Sequence, residues 1–249
     1  AREYNTRVVN MSLAASSTES WEIGPLCGAV RSAAAAGITV VVAAGNFGQS
    51  SQGAEAFGTI SAPANDPTVI TVGSAHFHDS VTRSDDTVNF FSSRGPTRGT
   101  LVTPTGTEVV DNLIKPDLVA PGNRIVSAAA TSADPQSPVW NLIARNNAST
   151  LVAPLGIAQS YGETQMLMSG TSAAAPLLAG AAALLLQANP GLTPPLVKAI
   201  LQHTAQPLPN ASLLQQGAGM LNIEGAVRLA RSIRTDIAGA IEAGIIAAG

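Results

Sequence analysis

A serine follows a glycine turn at the predicted start of a helix in residues 168–176 (MSGTSAAAP). Backbone N–H groups at a helix N-terminus carry partial positive charge, so an oxyanion formed beside Ser172 would be stabilised there. The small neighbours Gly170 and Ala173 would let a substrate backbone approach. The competing interpretation is structural, because serine is also a favoured helix N-cap. By itself the segment predicts either a nucleophile or a cap.

An amide side chain ends the apolar segment that runs into residues 43–46 (AAGN). In α/β folds, binding and catalytic groups gather at the carboxyl ends of the strands. Asn46 could therefore donate a hydrogen bond to a reacting group. The alternative is an ordinary turn at the end of a strand, since asparagine tolerates left-handed geometry.

Ser172 and Asn46 must be held in place by strands and helices, and the hydrophobic pattern of the sequence predicts where these lie. The predicted strands are residues 7–13, 38–44 and 68–72, and the predicted helices are residues 20–36, about 170–188, and 194–204. The second strand is continuously apolar, which is typical of a parallel strand covered on both faces. Strand, helix and strand in succession predict an α/β crossover.

The chain is predicted to form one domain over residues 1–249, since no repeat or composition shift divides it. Residues 131–165 are polar, contain three prolines and show no clear period, so we expect a long surface insertion there. Residues 223–249 are expected to form a helical C-terminal tail.

Several segments, taken in chain order, resemble those of the subtilisin-like serine proteases (subtilases, peptidase S8). They are residues 10–13 (NMSL), 43–46 (AAGN), 61–64 (SAPA), 69–73 (VITVG), 91–96 (FSSRGP), 115–122 (KPDLVAPG), 170–172 (GTS) with Pro176, and 217–222 (GAGMLN). Ordered matches over nearly the whole chain are far more specific than a lone motif.

The resemblance implies a three-layer α/β fold with a mostly parallel central sheet flanked by helices, incomplete at its N-terminal side. It implies that Ser172 is the nucleophile, and that the Asn46 amide and the Ser172 N–H bind the oxyanion. An extended peptide or protein substrate would pair with the segment that follows the first strand. The implied substrate-binding residues are Ser12, Leu13, Ala14, Ala44, Gly45 and Thr171.

Two departures from the family pattern bear on these expectations. Ala14 stands where relatives often have glycine, which affects the width of the cleft. Leu177 and Leu178 replace the His-Val pair that commonly follows the proline of the serine motif. We expect the second departure to change packing rather than chemistry.

The histidine and aspartate that such a serine requires have no counterpart in this sequence. None of the three histidines lies in a His-Gly-Thr-His pattern, and no aspartate precedes Ser-Gly or Thr-Gly. In the family these elements precede the segment with which this sequence begins. We therefore expect the 249 residues to be inactive alone, with a missing N-terminal segment of the same protease as partner.

The sequence supports three other kinds of site less well: an α/β-hydrolase site, a zinc site and a nucleotide-binding site. His203 follows Ser172 as in α/β-hydrolases, but residues 173–202 contain no acid, and Ala174 occupies the last glycine position of that family's serine turn. His76 and His78 do not complete a zinc site and are expected in a surface loop. The glycines of residues 45–48 lack the Gly-x-Gly-x-x-Gly spacing of a nucleotide site.

Composition excludes further classes. The net charge of −3 comes without a run of Lys or Arg, so no nucleic-acid partner is expected. The longest apolar stretches, such as residues 179–186, are shorter than the roughly 20 residues of a membrane span, and nothing at the start resembles a signal peptide. Cys27 is the one cysteine, which precludes an intrachain disulfide, and a buried hydrophobe is the expected role.

No metal site or cofactor is evident from the residues. Calcium is common in the family, but no carboxylate cluster with suitable spacing supports it here. The resemblance implies an extracellular or cell-surface protease. Two alternatives stay open: a non-catalytic binding or assembly module, and a split enzyme whose second chain supplies the missing residues.

Overall fold

The computed structural model describes residues 4–15, 18–131, 142–152 and 164–245. The strands are β1 (Val8–Met11), β2 (Thr39–Ala43), β3 (Ile70–His76), β4 (Thr87–Val88), β5 (Thr100–Val102), β6 (Glu108–Val110), β7 (Leu118–Pro121), β8 (Ile125–Ala128), β9 (Leu151–Val152) and β10 (Gln165–Met168). The helices are α1 (Pro25–Ala35), α2 (Leu142–Asn146), α3 (Thr171–Ala188), α4 (Pro194–Thr204), α5 (Leu213–Gln216), α6 (Ile223–Ser232) and α7 (Ile237–Glu242).

The central sheet is mostly parallel, as predicted. Its parallel strands lie in the order β1-β2-β3-β7, and β4 pairs antiparallel with the end of β3. Two smaller antiparallel sheets, β8-β10-β9 and β5-β6, lie outside it. The segments that follow β2 and β7 therefore emerge at the same edge of the sheet.

Strand β2 is apolar throughout because both of its faces are covered. Val41 and Ala43 belong to the main core, which includes residues of α3, α4 and α6. Val40 and Val42 belong to a second core on the other face, with Val30 of α1. Side chains alternate between the faces of a strand, so a single strand contributes to both cores. This arrangement confirms the α/β fold with helices on both sides of the sheet.

Helix α3 is the central helix of the main core. By length and composition it is the one helix in the described residues that could span a membrane. It contacts β1, β2, β3 and β7, and residues such as Leu178 and Leu185 are fully buried against them. Its opposite face carries Leu177, Gly180 and Leu184, all exposed. We call these three residues the outer stripe.

One prediction about elements requires correction. The first helix begins at Pro25 rather than near Ser20, because Gly24 precedes a proline at the first helical position, where its missing N–H costs nothing. The described parts of residues 131–165, the predicted surface insertion, contain α2 and β9, and Ala144 of α2 is buried beside Met166. Residues 132–141 and 153–163 of that predicted insertion lie outside the described residues.

The predicted tail contains the two helices α6 and α7, and residues 246–249 lie outside the described residues. Asn222 caps α6 by accepting a hydrogen bond from the Gly225 N–H at 3.0 Å.

A buried ion cluster joins β3, the segment just before β7, and α4. Lys115 Nζ donates to Asp117 Oδ2 at 2.7 Å and to Thr71 Oγ1 at 2.8 Å, and Lys198 Nζ lies 2.9 Å from Asp117 Oδ1. Burial lowers the pKa of Lys115 to about 8, although the Asp117 carboxylate opposes the shift. Burial also disfavours the Asp117 charge, but the two lysines outweigh it and hold the pKa of Asp117 below its usual value.

Cys27 lies in α1 and is 1% exposed. Its thiol is 3.2 Å from Asn65 Oδ1. Burial, with a contribution from the Asp66 charge, raises the pKa of this thiol to about 11. Cys27 is therefore the buried, unreactive residue that the sequence predicts.

Candidate active site

The serine motif forms the first turn of α3, but Ser172 does not cap the helix. Gly170 is the N-cap, with φ 151°, a conformation that favours glycine, and no side chain caps the helix there. Ser172 is the second helical residue. Its N–H is among the first four of the helix, which have no intrahelical acceptor, and it has no partner in the described ranges. The capping interpretation of this serine is therefore wrong.

Asn46 is placed by a glycine turn after β2. The Ala44 N–H still pairs with the Val72 carbonyl at 2.9 Å, and Gly45 then turns the chain with φ 108°. A Cβ atom on Gly45 would lie 2.6 Å from Ser61 Oγ and 2.7 Å from Ser93 Oγ. Only glycine fits this approach, so the turn that presents Asn46 depends on it.

The amide of Asn46 is oriented by the start of α3. Its Oδ1 accepts hydrogen bonds from the Thr171 N–H at 2.9 Å and from Thr171 Oγ1 at 3.0 Å. With the oxygen held in this way, Nδ2 is left as a free donor, since no described residue accepts from it. Thr171 Oγ1 also accepts from the Gly45 N–H at 3.2 Å, so the two segments fix each other.

Two N–H donors converge on the space beside Gly170. A Cβ atom built on Gly170 would lie 3.4 Å from Asn46 Nδ2 and 3.7 Å from Ser172 N. Both nitrogens therefore border one small space that the missing side chain leaves open. Two convergent donors at a helix N-terminus are the arrangement that stabilises an oxyanion.

Ser12 and Ser172 contact each other across the end of β1. The Ser12 hydroxyl donates to the Ser172 carbonyl at 2.8 Å, and Ser172 Oγ lies 3.4 Å from the Ser12 carbonyl oxygen. Asn10 Nδ2 donates to Ser12 Oγ at 3.0 Å. The end of the first strand is thus tied to the first turn of α3.

The predicted substrate-binding residues fall into two groups. Ser12, Leu13 and Ala14 are exposed, and in the described ranges the backbone groups of Leu13 and Ala14 have no hydrogen-bond partner. They can pair with an extended chain. Ala44, Gly45 and Thr171 are buried. This second group forms the support of Asn46 beneath the surface.

In the described structure no histidine forms a hydrogen bond with Ser172. His203 is exposed in the last turn of α4. His76 and His78 lie at the end of β3 with ring centroids 4.0 Å apart, and His78 Nε2 contacts Thr87 Oγ1 at 3.0 Å. In the described ranges no group of three or more His, Cys, Asp or Glu residues could hold a metal ion.

An apolar cavity of about 340 Å³ opens beside Ser172. Its walls come from β8, Met168 and the first two turns of α3, including Pro176 and Leu177. It could take an apolar side chain next to the serine. A cavity of about 500 Å³ lies at the opposite edge of the sheet, around Arg7 and residues 190–194, and contains none of the candidate catalytic residues.

The mostly parallel sheet flanked by helices is the fold of a subtilase. The subtilase family profile, peptidase S8, matches residues 1–220, and this chain belongs to that family. The family assignment made from the sequence segments is confirmed.

Curated relatives are proteases of this family. The chain is 38% identical over 203 residues to the serine protease AprX of Bacillus subtilis (strain 168), covering 82% of this chain and 38% of that protein. It is 33% identical over 143 residues to the minor extracellular protease Vpr of the same organism, covering 55% of this chain and 13% of that protein. The chain thus spans well under half the length of these relatives.

Solved structures show the same fold. The S218A mutant of the protease domain of PatA aligns with a TM-score of 0.58 at 23% identity, covering 95% of this chain and 64% of that one. A protease from Pseudoalteromonas arctica PAMC 21717 aligns with a TM-score of 0.55 at 24% identity, covering 90% of this chain and 51% of that one.

Proposed function

We propose that this chain is the serine-bearing part of a subtilisin-like serine endopeptidase. Ser172 Oγ attacks the carbonyl carbon of a peptide bond as its proton passes to a general base. The C–N bond then breaks, the amine product takes that proton and leaves, and water hydrolyses the acyl-enzyme to release the acid and restore Ser172. The observation that carries the proposal is the orientation of the Asn46 amide, whose oxygen is held by Thr171 and whose Nδ2 faces the same space as the Ser172 N–H.

Substrate recognition is proposed to use backbone pairing. Residues 12–14 lie beside Ser172 with exposed side chains and free backbone groups at Leu13 and Ala14. An extended peptide can add to such a segment as a further strand. Its scissile carbonyl would then point towards the space bordered by the two N–H donors. The substrate class is peptide or protein.

The general base is proposed to come from chain outside these 249 residues. No histidine or carboxylate hydrogen-bonds Ser172 in the described structure, so the serine proton has no acceptor suited to catalysis. An upstream segment carrying the histidine and aspartate would supply it. Without that segment only the weak catalysis that oxyanion and binding groups provide would remain.

Two features support a docking place for that segment. Strand β1 is an edge strand of the central sheet, and among the described residues it pairs with β2 alone. The outer stripe of α3 leaves Leu177 39% exposed and Leu184 46% exposed. A strand added to β1 and an element packed on the outer stripe would cover both surfaces and bring new residues to Ser172.

Further parts of the proposal come from the family. An extracellular or cell-surface location is proposed because one relative is named an extracellular protease. Calcium is proposed only because it is common in the family, and the described residues contain no cluster of acidic residues that could bind it.

The test is labelling of Ser172 by a fluorophosphonate probe, with Ser172→Ala as the blank. The chain alone should label slowly, and a chain extended by its upstream sequence should label rapidly. Labelling only when a separate protein copurifies would indicate a split enzyme. No labelling of a folded, extended chain would reject the proposal in favour of a non-catalytic binding or assembly module.

A further inference from the structure

Helix α3 contains a proline one turn after the nucleophile position, and this has a local effect on Ser172. In an α-helix the carbonyl of residue i accepts from the N–H of residue i+4. For Ser172 that residue is Pro176, which has no N–H. The Ser172 carbonyl therefore lacks its normal helical donor.

The Ser12 hydroxyl takes the place of the absent donor. Its Oγ donates to the Ser172 carbonyl at 2.8 Å, the usual length for a hydrogen bond between a hydroxyl and a carbonyl oxygen. The bond spans 160 positions in the sequence and joins the end of β1 to the first turn of α3. Asn10 Nδ2 donates to the same hydroxyl at 3.0 Å and orients it, because an oxygen that accepts one hydrogen bond has its own proton directed elsewhere.

We propose that the Ser12 side chain is a positioning residue: by satisfying the carbonyl that Pro176 leaves open, it holds Ser172 in register with the oxyanion donors. The inference rests on the proposed function and assigns a role to the hydroxyl, separate from the backbone pairing of residues 12–14 with substrate.

The geometry explains why one hydroxyl matters. Ser172 N, Ser172 Oγ and the Ser172 carbonyl belong to one residue, so a bond to its carbonyl restrains the backbone from which the nucleophile and one oxyanion donor project. Asn46, the other donor, is fixed separately through Thr171. A displacement of about 1 Å between reacting groups can slow a reaction by roughly 10²-fold. An extended substrate on residues 12–14 would also cover the Ser12 hydroxyl and keep water from competing for it.

The test uses the full-length protein and a pair of substitutions. Ser12→Ala should lower kcat and the fluorophosphonate labelling rate about tenfold, the effect of one hydrogen bond of about 1.4 kcal/mol, with KM unchanged because the backbone is retained. Ser12→Thr keeps a hydroxyl and should recover most of the rate. Ser32→Ala, which removes an exposed hydroxyl bonded to the Gly28 carbonyl, is the matched control and should have no effect.

The proline provides the decisive comparison. Pro176→Ala restores an N–H donor to the Ser172 carbonyl. In that background, adding Ser12→Ala should therefore lower kcat by less than about twofold. Equal losses in both backgrounds, or a rise in KM without a fall in kcat, would overturn the inference.

Hydrogen exchange separates this inference from the proposed function. Amide exchange in residues 173–178 should be faster in Ser12→Ala than in the wild type. It should be slower in the double variant Ser12→Ala/Pro176→Ala than in Ser12→Ala alone. Both results are expected whether or not the protein is active. Faster exchange in a protein that no probe labels would reject the proposed function and support the hydrogen bond. Unchanged exchange would overturn the inference.

Discussion

Thr171 donates both its N–H and its hydroxyl to the same oxygen of Asn46, at 2.9 Å and 3.0 Å. Two donors on one oxygen determine which way the amide faces, because an N–H group cannot accept them. The residue before the candidate nucleophile therefore orients the side chain that would stabilise the negative charge.

Replacing Asn46 by leucine should remove the proposed oxyanion donor while keeping the branched shape of the side chain. In a subtilisin, loss of the corresponding donor lowers kcat roughly 10²–10³-fold, and we expect a loss of that order in the full-length protein. Peptide hydrolysis measures it, with Ser172→Ala as the blank. A loss confined to KM would argue that Asn46 binds substrate rather than the transition state.

Two glycines of the same helix segment should respond in opposite ways to alanine. Gly170→Ala would place a methyl group 3.4 Å from Asn46 Nδ2, in the space proposed for the oxyanion, at a backbone conformation that alanine avoids. Labelling of Ser172 should be abolished. Gly180→Ala meets no atom within 4 Å and should stabilise the protein by about 0.5–1 kcal/mol in urea denaturation. Normal labelling of Gly170→Ala would contradict the assigned oxyanion space.

The buried ion cluster should be sensitive to loss of one partner. Lys115→Met would leave the Asp117 charge buried with Lys198 as its remaining cation, and we expect a loss of about 3–5 kcal/mol in the free energy of unfolding. Arg228→Ala removes an exposed pair with Glu224 and should change the unfolding midpoint little. Equal effects of the two substitutions would show that burial does not set the strength of the Lys115 pair.

The same cluster should give unfolding a defined pH dependence. Between about pH 8 and the ordinary lysine value of 10.5, Lys115 binds fewer protons in the folded state than in the unfolded chain. Its contribution to stability therefore rises with pH across this window. Asp117 affects stability at acidic pH. Its pKa is lowered on folding, so its contribution to stability is present above the ordinary value of 3.8 and is lost as pH falls through the folded pKa.

Urea denaturation from pH 3 to pH 9 should show both effects in the wild type, and the alkaline rise should be absent from Lys115→Met. Above pH 9 the raised pKa of Cys27 opposes the rise, because the unfolded thiol loses its proton before the folded one does. A wild-type curve without that rise would contradict the lowered pKa of Lys115.

The sheet could be predicted from sequence because its signal is hydrophobic and local. A run such as residues 38–44 has to be covered on both faces, and the structure divides it between two cores. The sequence predicts the bounds of α4 to the residue, and Pro194 is the first residue of the helix. The start of α1 was missed because residues 20–24 are compatible with a helix until Pro25 is taken as its first residue.

The candidate site was only partly predictable. Ser172 and Asn46 stand in recognisable motifs, whereas the hydrogen bond from Ser12 to the Ser172 carbonyl joins residues 160 positions apart. The one local signal for it is Pro176, four residues after Ser172, which marks a carbonyl without its helical donor. Its new partner depends on the placement of β1 against α3, which is a property of the tertiary fold.

The burial of Cys27 makes the chain a convenient subject for thiol chemistry. A thiol with a pKa of about 11 that is 1% exposed is silent to maleimides and disulfide reagents while the protein is folded. Unfolding would expose it, so the rate of modification would report global opening of the domain. Because it is the sole cysteine, a second one introduced on the outer stripe of α3 could be coupled selectively to a fluorophore, and its emission would report when an upstream segment covers that surface.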